Sequence, residues 1–264
     1  MEKKLDISVI SPVFNEKDNL KTFVESVTKV MNSMNTSWEL IIIDDGSDDG
    51  SSELVKEIAQ QDNVRSILLS KNYGQTTAIQ AGFDNAVGEY LVTLDSDLQN
   101  DPKDIPALLE KLITEELDLV VGWRKDRKDN YFFRNLPSIM ANKLIGSITG
   151  VRLHDYGCSL KVYRSDVLRE VRLYGEMHRF IPAWMATKIP ASKISELVVN
   201  HHPRIAGKSK YGISRTFRVF VDLISVYFFM RFFSRPGHFF GLIGLLLSSL
   251  GFIILIYLVT LKFI

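Results

Sequence analysis

Cysteine is nearly absent from this chain of 264 residues, which contains only Cys158. A single thiol excludes an internal disulfide framework and fits a reducing compartment. The first residues, Met1 to Lys4, lead into a short strand-like run and show no signal-peptide pattern. The chain also lacks the basic and aromatic motifs typical of nucleic-acid binding. We therefore expect a folded protein in a reducing compartment, with no nucleic-acid partner.

Net charge is also nearly absent, since 32 Lys and Arg against 31 Asp and Glu give +1. The balance hides an asymmetry along the chain. Residues 200–264 carry eight basic residues and one acidic residue, a net +7, whereas the rest carries 24 basic and 30 acidic residues, a net −6. The basic end is also the most apolar end, which indicates contact with a membrane surface.

Long uncharged apolar runs are absent apart from residues 239–261, which are 23 residues without a charge. As a helix at about 1.5 Å per residue, this run would be about 35 Å long, enough to cross a bilayer core. A buried core helix is the alternative, and the length and composition disfavour it. The sequence therefore predicts a transmembrane helix within residues 237–264.

The residues around this run predict how the protein meets the membrane. Residues 213–233 are apolar but interrupted by charges, a pattern typical of a helix lying in the interface. Arg231, Arg235 and His238 precede the long run and Lys262 alone follows it, which places the large domain on the cytoplasmic side of the cell (inner) membrane. We predict a large folded domain over residues 1–212, an amphipathic juxtamembrane region over 213–236 and the transmembrane helix over 237–264.

The first 200 residues alternate between short apolar strands and amphipathic helices. Strands are predicted at residues 6–12, 38–43, 64–69, 90–94, 117–121 and 198–202, with a turn and strand at 155–164. Helices are predicted at residues 15–34, 51–60, 76–86, 104–114, 136–148 and 179–188. This alternation predicts an α/β fold with a doubly wound, mostly parallel sheet, whose ligands bind at the carboxyl ends of the strands.

Two aspartates one residue apart, Asp95 and Asp97, follow the apolar run from Tyr90 to Leu94. Residues i and i+2 of a strand project to the same side, so both carboxylates can face one point. Carboxylates are the hard oxygen ligands that Mg²⁺ or Mn²⁺ prefers beside substrate phosphates. A polar turn before a helix is the alternative. Polar residues also follow the first two strands, which favours a functional site.

Four motifs, in their order and spacing, resemble those of family 2 glycosyltransferases with the GT-A fold. They are residues 9–16 (VISPVFNE), 44–47 (DDGS), 72–74 (NYG) and 94–99 (LDSDLQ). Later segments resemble the polyisoprenyl-phosphate glycosyltransferases, which include dolichol-phosphate mannose synthases and bacterial undecaprenyl-phosphate enzymes. These segments are residues 122–124, Arg134 with Ser138, residues 155–164, residues 175–182, and Arg204 with residues 207–211. The resemblance covers nearly the whole chain and implies a Rossmann-like GT-A catalytic domain.

The resemblance implies which residues bind the donor, a nucleotide-diphosphate sugar. Those bordering it would be Pro12, Phe14, Glu16, Asp44 and Asp95, together with a mobile basic loop containing Arg204, Ser209 and Lys210. Asp44 would contact the base or ribose, whereas Asp45 either shares that role or begins a helix. Mg²⁺ or Mn²⁺ would be held by Asp95 and Asp97, with Gln99 as a neutral ligand or nearby hydrogen-bond partner.

The acceptor implied by the resemblance is a lipid phosphate. Arg124, Arg134 and Ser138 would bind it, because guanidinium groups match phosphate oxygens in pairs. The alternative for the charged run at residues 124–129 is a solvated surface. Asp155 and Asp97 are the implied catalytic residues. Asp155 would orient or deprotonate the acceptor, although a phosphate monoester, with a second pKa near ~6, is already largely dianionic at neutral pH.

Three residues also allow a purely structural interpretation. Asp155 could cap a turn instead of contacting an acceptor. His178 matches the family, but a lone histidine is more often packed or exposed than catalytic. Cys158 is interpreted as a packing residue.

The predicted function is that of a membrane-anchored inverting glycosyltransferase. It would move one sugar from a UDP-hexose or UDP-N-acetylhexosamine to undecaprenyl phosphate at the bilayer. The alternatives are a dolichol-phosphate mannose synthase-like enzyme using GDP-mannose, a polysaccharide-extending glycosyltransferase, and a non-catalytic nucleotide-sugar-binding protein. A homo-oligomer is compatible with the sequence.

Overall fold

The computed structural model describes residues 5–125, 145–147, 149–169, 171–203, 224–225, 227–228, 231–232 and 235–263. The chain divides into two compact units, Met1–Thr216 and Phe217–Ile264. The predicted helices at residues 136–148 and 213–233 lie largely outside the described residues.

The first unit alternates strands and helices. Its strands are β1 (Ile7–Val13), β2 (Trp38–Asp44), β3 (Val64–Leu68), β4 (Tyr90–Thr93), β5 (Leu119–Trp123), β6 (Lys161–Arg164) and β7 (Ile194–Val198). Its longer helices are α1 (Lys17–Ser33), α2 (Ser51–Ile58), α3 (Gln75–Asn85) and α4 (Ile105–Thr114). Short helical segments are Pro102–Asp104, Ser165–Leu168, Met177–Phe180, Ile181–Met185 and Ala191–Lys193.

The seven strands form one sheet in the order β3-β2-β1-β4-β6-β5-β7. All neighbours are parallel except β6, which runs antiparallel to both β4 and β5. The prediction of a mostly parallel α/β fold is therefore confirmed. Because β6 is reversed, its amino end lies at the carboxyl ends of β4 and β5, where Lys161 is in register with Thr93 and Val121. The residues that precede β6 are thus brought to the edge of the sheet where ligands bind.

The hydrophobic pattern explains the layers. Residues 38–44 of β2 are buried throughout, as expected for a strand covered on both faces. Helix α1 buries one stripe, consisting of Leu20, Phe23, Val24, Val27 and Met31, while its other faces carry charged and polar residues. The core therefore lies between the sheet and its helices, and the strand ends remain available for function.

Two predicted elements were wrong in their bounds. The strand expected at residues 198–202 is instead β7, and His201 forms only an isolated bridge with Asn100. The Asn200 backbone and amide both donate to Asp104, at 2.7 and 2.8 Å, which draws the chain away from regular pairing. The helix expected at residues 179–188 is the short Ile181–Met185, preceded by a 3₁₀ turn, because Pro182 fits only the first turn of an α-helix.

The second unit contains a long C-terminal helix, Pro236–Phe263. Its segment Pro236–Lys262 has 27 residues, a mean hydropathy of 2.7 in its most apolar window and no burial of that window. Within the described part of the chain it is the one helix long and apolar enough to cross a membrane. An apolar helix that the described part of the chain leaves exposed fits a lipid environment.

Candidate active site

The loops that follow β1 and β2 are joined by direct hydrogen bonds. The Asn15 backbone donates to Ser47 Oγ at 2.9 Å, and its side-chain amide donates to Asp48 Oδ1 at 2.7 Å. The Glu16 backbone donates to Ser51 Oγ at 3.1 Å. The loop after β4 joins them, since Ser96 Oγ donates to the Pro12 carbonyl at 3.4 Å. The polar strand ends predicted from the sequence therefore come together.

Asp44 and Asp45 sit side by side at the end of β2 but have different partners. Asp45 accepts backbone hydrogen bonds from Tyr73 at 2.7 Å and Gly74 at 2.9 Å, so it fixes the chain entering α3. Burial raises the pKa of Asp45, and those two hydrogen bonds oppose the rise. Asp44 Oδ2 accepts from Ser52 Oγ at 2.6 Å, whereas its buried Oδ1 has no partner among the described residues. Asp44 thus retains an acceptor that a ligand donor could satisfy.

Asp95 and Asp97 follow β4 directly. Gln75, the first residue of α3, donates to Asp95 Oδ1 at 2.8 Å. Burial and the nearby charge of Asp97 raise the pKa of Asp95 to about 6. The Gln99 backbone donates to Asp97 Oδ1 at 3.2 Å and fixes the turn. Two carboxylates that repel each other, next to an ordered turn, fit a divalent cation.

Arg124 and Asp155 form a bidentate ion pair at the ends of β5 and the loop before β6. Nε lies 2.7 Å from Asp155 Oδ2 and Nη2 lies 3.0 Å from Oδ1. Their side chains are 11% and 7% exposed. Burial disfavours the charged guanidinium, but Asp155 outweighs this and raises the pKa of Arg124. The two hydrogen bonds from Arg124 to Asp155 therefore fix the orientation of the guanidinium group.

A buried lysine, Lys161, lies near Asp95, Arg124 and Asp155. Lys161 is 3% exposed, and its ammonium donates to the Cys158 carbonyl. Burial lowers the pKa of Lys161, while the negative charges of Asp155 and Asp95 act in the opposite direction. Asn100 ties this region to the aspartate turn, since its amide donates to Ser159 Oγ at 2.7 Å. This hydrogen bond therefore holds the loop before β6 against the Asp95–Asp97 turn.

The described residues place the predicted site in one region of the sheet edge. Pro12 and Phe14 lie at the end of β1 and are half-buried, and Glu16 precedes α1, where it accepts from the Asn19 amide at 2.6 Å. Gln99 lies beside the chain segment that leads out of β7, because its carbonyl accepts from the His202 backbone at 2.8 Å. Five predicted residues lie outside the described part of the chain: Arg134, Ser138, Arg204, Ser209 and Lys210.

Sequence reasoning missed three side chains of this region, namely Gln75, Asn100 and Lys161. Each lies inside or directly beside a motif noted for the resemblance, so its position was a usable signal. Their roles depend on contacts with residues distant in the chain, 20 positions away for Gln75 and 59 for Asn100. Periodicity and motif spacing do not encode such pairings.

Within the described residues no group of three or more His, Cys, Asp or Glu side chains could hold a metal ion. The prediction that Asp95 and Asp97 hold the ion therefore requires other ligands to complete the coordination. Oxygen atoms of a diphosphate or of water are the ligands that Mg²⁺ or Mn²⁺ accepts in such a site.

Comparison with solved structures shows the fold. The crystal structure of glucosyl-3-phosphoglycerate synthase from Mycobacterium tuberculosis, in complex with Mn²⁺, UDP-glucose and phosphoglyceric acid, matches with a TM-score of 0.66 at 16% identity. The match covers 86% of this chain and 79% of that one. The sheet and helices described above therefore have the GT-A fold, as predicted.

Comparison of sequences shows the family. The chain is 53% identical over 264 residues to the dodecaprenyl-phosphate galacturonate synthase of Rhizobium johnstonii, covering 99% of this chain and 78% of that protein. It is 35% identical over 260 residues to the undecaprenyl-phosphate 4-deoxy-4-formamido-L-arabinose transferase of Aeromonas hydrophila, covering 98% and 77%. The profile of glycosyl transferase family 2 matches residues 8–172. With the GT-A fold and the aspartate turn in place, the chain belongs to glycosyl transferase family 2.

Proposed function

We propose that this enzyme transfers one sugar from a nucleotide-diphosphate sugar to polyprenyl phosphate at a membrane. The observation that carries the proposal is the similarity to dodecaprenyl-phosphate galacturonate synthase, which extends over 99% of the chain. The second relative is also named for transfer to a polyprenyl phosphate, and neither is named for mannose or dolichol. We therefore propose galacturonate, carried by UDP, as the first donor sugar to test.

The described residues provide a donor side. The buried Asp44 Oδ1, which lacks a partner among them, can accept from a ribose hydroxyl or a base N–H. Asp95 and Asp97 would hold Mg²⁺ or Mn²⁺, the metal class bound with UDP-glucose in the solved glucosyl-3-phosphoglycerate synthase. When bound, the cation neutralises negative charge on the departing nucleoside diphosphate. Gln75 orients Asp95 for that purpose.

The Arg124–Asp155 pair provides an acceptor side. In the proposed reaction an oxygen of the lipid phosphate bonds to the anomeric carbon, and the bond from that carbon to the diphosphate breaks with inversion. The diphosphate leaves with the bonding electron pair. The acceptor phosphate is largely dianionic at neutral pH, so no base is needed to generate the nucleophile. Asp155, with both oxygens on Arg124, therefore positions the guanidinium and the acceptor instead of removing a proton.

The C-terminal helix supports the proposed membrane location. A lipid phosphate lies at the bilayer surface, and an enzyme anchored there meets it at a raised effective concentration. The apolar segment Pro236–Lys262 would provide the anchor. The catalytic unit is proposed to face the cytoplasm, because more basic residues precede the uncharged run than follow it.

The test is transfer of radiolabelled sugar into undecaprenyl and dodecaprenyl phosphate by the purified full-length protein in detergent. The donors are UDP-galacturonic acid, UDP-glucose, UDP-N-acetylglucosamine and GDP-mannose, each with Mg²⁺, Mn²⁺ or EDTA. We expect lipid-extractable label from UDP-galacturonic acid, lost in EDTA. Label from GDP-mannose alone would replace the donor proposal, and no lipid label from any donor would overturn the function.

A further inference from the structure

A histidine outside the predicted site is connected to it through the first turn of α3. His178 Nδ1 lies 2.7 Å from the hydroxyl of Thr76, a buried residue. The residue before Thr76 is Gln75, which donates to Asp95. The imidazole is therefore anchored one residue along α3 from the side chain that contacts the aspartate turn.

One ring nitrogen of this histidine is available. Among the residues that the structure describes, Nε2 of His178 makes no hydrogen bond, whereas Nδ1 is engaged by Thr76. The side chain is half-buried, and Nε2 is not among the fully buried side-chain atoms that lack a partner, so a ligand can reach it. An accessible ring nitrogen without a partner among the described residues is a candidate contact for a ligand.

The electrostatic surroundings keep this imidazole neutral. Burial lowers the pKa of His178 to about 3, and the positive charges of Arg179 and Lys161 act in the same direction. A neutral imidazole has one N–H and one acceptor nitrogen, so the hydrogen bond to Thr76 leaves the other function at Nε2. A sugar hydroxyl both donates and accepts, and it can pair with Nε2 in either tautomer. A neutral ring also adds no attraction for the diphosphate, which separates its role from that of a cation.

Building on the proposed function, we infer that Nε2 of His178 hydrogen-bonds a hydroxyl of the donor sugar. This contact positions the sugar ring beside Asp95. Asp95 and Asp97 face the diphosphate in the proposed complex, and the sugar follows the diphosphate directly. Lys161 acts electrostatically on both His178 and Asp95, so the imidazole lies in the same region as the carboxylate next to the sugar end of the donor. The contact involves no proton transfer and breaks no bond.

The experiment compares two ligands that differ only in the sugar, UDP and UDP-galacturonic acid, by titration calorimetry with Mn²⁺ and the full-length protein. His178→Asn keeps a polar atom near Nδ1 and removes the one at Nε2, whereas His178→Gln places an amide near Nε2. We expect His178→Asn to weaken binding of UDP-galacturonic acid about tenfold, the effect of one hydrogen bond, with UDP affinity unchanged. His178→Gln is expected to recover most of that loss.

A second pair of variants tests the anchor if His178→Asn folds poorly by thermal melting. Thr76→Val removes the hydroxyl that holds the ring, and Thr76→Ser keeps it. We expect Thr76→Val to weaken the sugar nucleotide selectively and Thr76→Ser to restore its affinity. Equal loss of UDP and UDP-galacturonic acid, or no loss in either pair, would overturn the role of His178. A wild-type protein that binds UDP but gains nothing from galacturonate would instead overturn the proposed donor sugar.

Discussion

At the scale of single residues, the site contains carboxylates in two different surroundings. Asp95 and Asp97 repel each other, which contributes to the raised pKa of Asp95. Asp155 instead faces a guanidinium at 2.7 and 3.0 Å. Removing a charge therefore has opposite consequences at the two places, because one site loses a repulsion and the other loses a compensating partner.

Asp97→Asn is expected to lower metal-dependent transfer about 10²–10³-fold, because an anionic ligand that supports charge stabilisation in the transition state is lost. The melting temperature is expected to change little, since the substitution also removes repulsion with Asp95. Transfer rates across a Mn²⁺ titration and Mn²⁺ binding followed by electron paramagnetic resonance measure the two effects. Asp62→Asn, at an exposed loop residue, is the matched control. Normal Mn²⁺ binding and transfer in Asp97→Asn would remove the metal assignment.

Asp155→Asn is expected to lower the free energy of unfolding by about 3 kcal/mol, because it leaves the buried Arg124 guanidinium without its charge partner. Arg124→Met and the double variant complete a thermodynamic cycle in urea. We expect the loss of unfolding free energy in the double variant to be about 2 kcal/mol smaller than the sum of the two single losses. Transfer is expected to stay low in the double variant, which separates the acceptor role from stability. Additive losses would contradict a coupled pair.

At the scale of elements, the site depends on how closely the loops after β1, β2 and β3 approach one another. Gly46 has a φ of +69°, and a Cβ there would lie 2.6 Å from Lys71 Cα and 2.7 Å from Asn72 N. Gly74, next to α3, has a φ of +94° but open space where a Cβ would be. The two glycines therefore separate backbone strain from close contact.

Gly74→Ala is expected to cost about 1–3 kcal/mol of unfolding free energy, because its φ of 94° and ψ of 155° lie in a backbone region that essentially only glycine adopts. Gly46→Ala is expected to cost about 2 kcal/mol more, because the Lys71–Asn72 backbone must shift. Chemical denaturation of the two variants measures the difference directly. Equal losses of unfolding free energy would show that the Lys71–Asn72 backbone shifts at little cost, which would contradict a close contact at Gly46.

At the scale of the whole molecule, the chain joins a unit that carries the candidate active site to a long apolar helix. The C-terminal helix carries no charged residue from position 239 to position 261, and its most apolar window is not buried. Interior charges in such a helix are costly in a bilayer, about 2.5–3.5 kcal/mol each at its centre on insertion scales. Membrane retention can therefore be weakened without changing the catalytic unit.

The wild-type protein is expected to stay in the membrane fraction after extraction with alkaline carbonate. The paired substitution Leu247→Lys and Ile254→Lys should shift it to the soluble fraction, because two charges would enter the hydrocarbon core. Ser249→Ala, a residue of the same helix, is the control for substitution as such. Complete extraction of the wild-type protein would contradict a spanning helix.

Local sequence patterns predict most of the architecture. The apolar strands, the amphipathic helices and the polar strand ends follow from residues that are neighbours in the chain, since periodicity and hydrophobicity are local properties. The same patterns misplaced β7, whose end depends on the pairing of Asn200 with Asp104. Propensity does not encode such a distant partner.

The sequence by itself determined the α/β alternation, the Asp95–Asp97 turn, the family resemblance and the long apolar helix. The tertiary structure decided which side chains meet: Arg124 with Asp155 across 31 positions, and Thr76 with His178 across 102. The reversed strand β6 brings the loop from Asp155 to Ser159 to the ends of β4 and β5. These pairings depend on topology and on the need of buried charges and polar atoms for partners, which only the folded chain supplies.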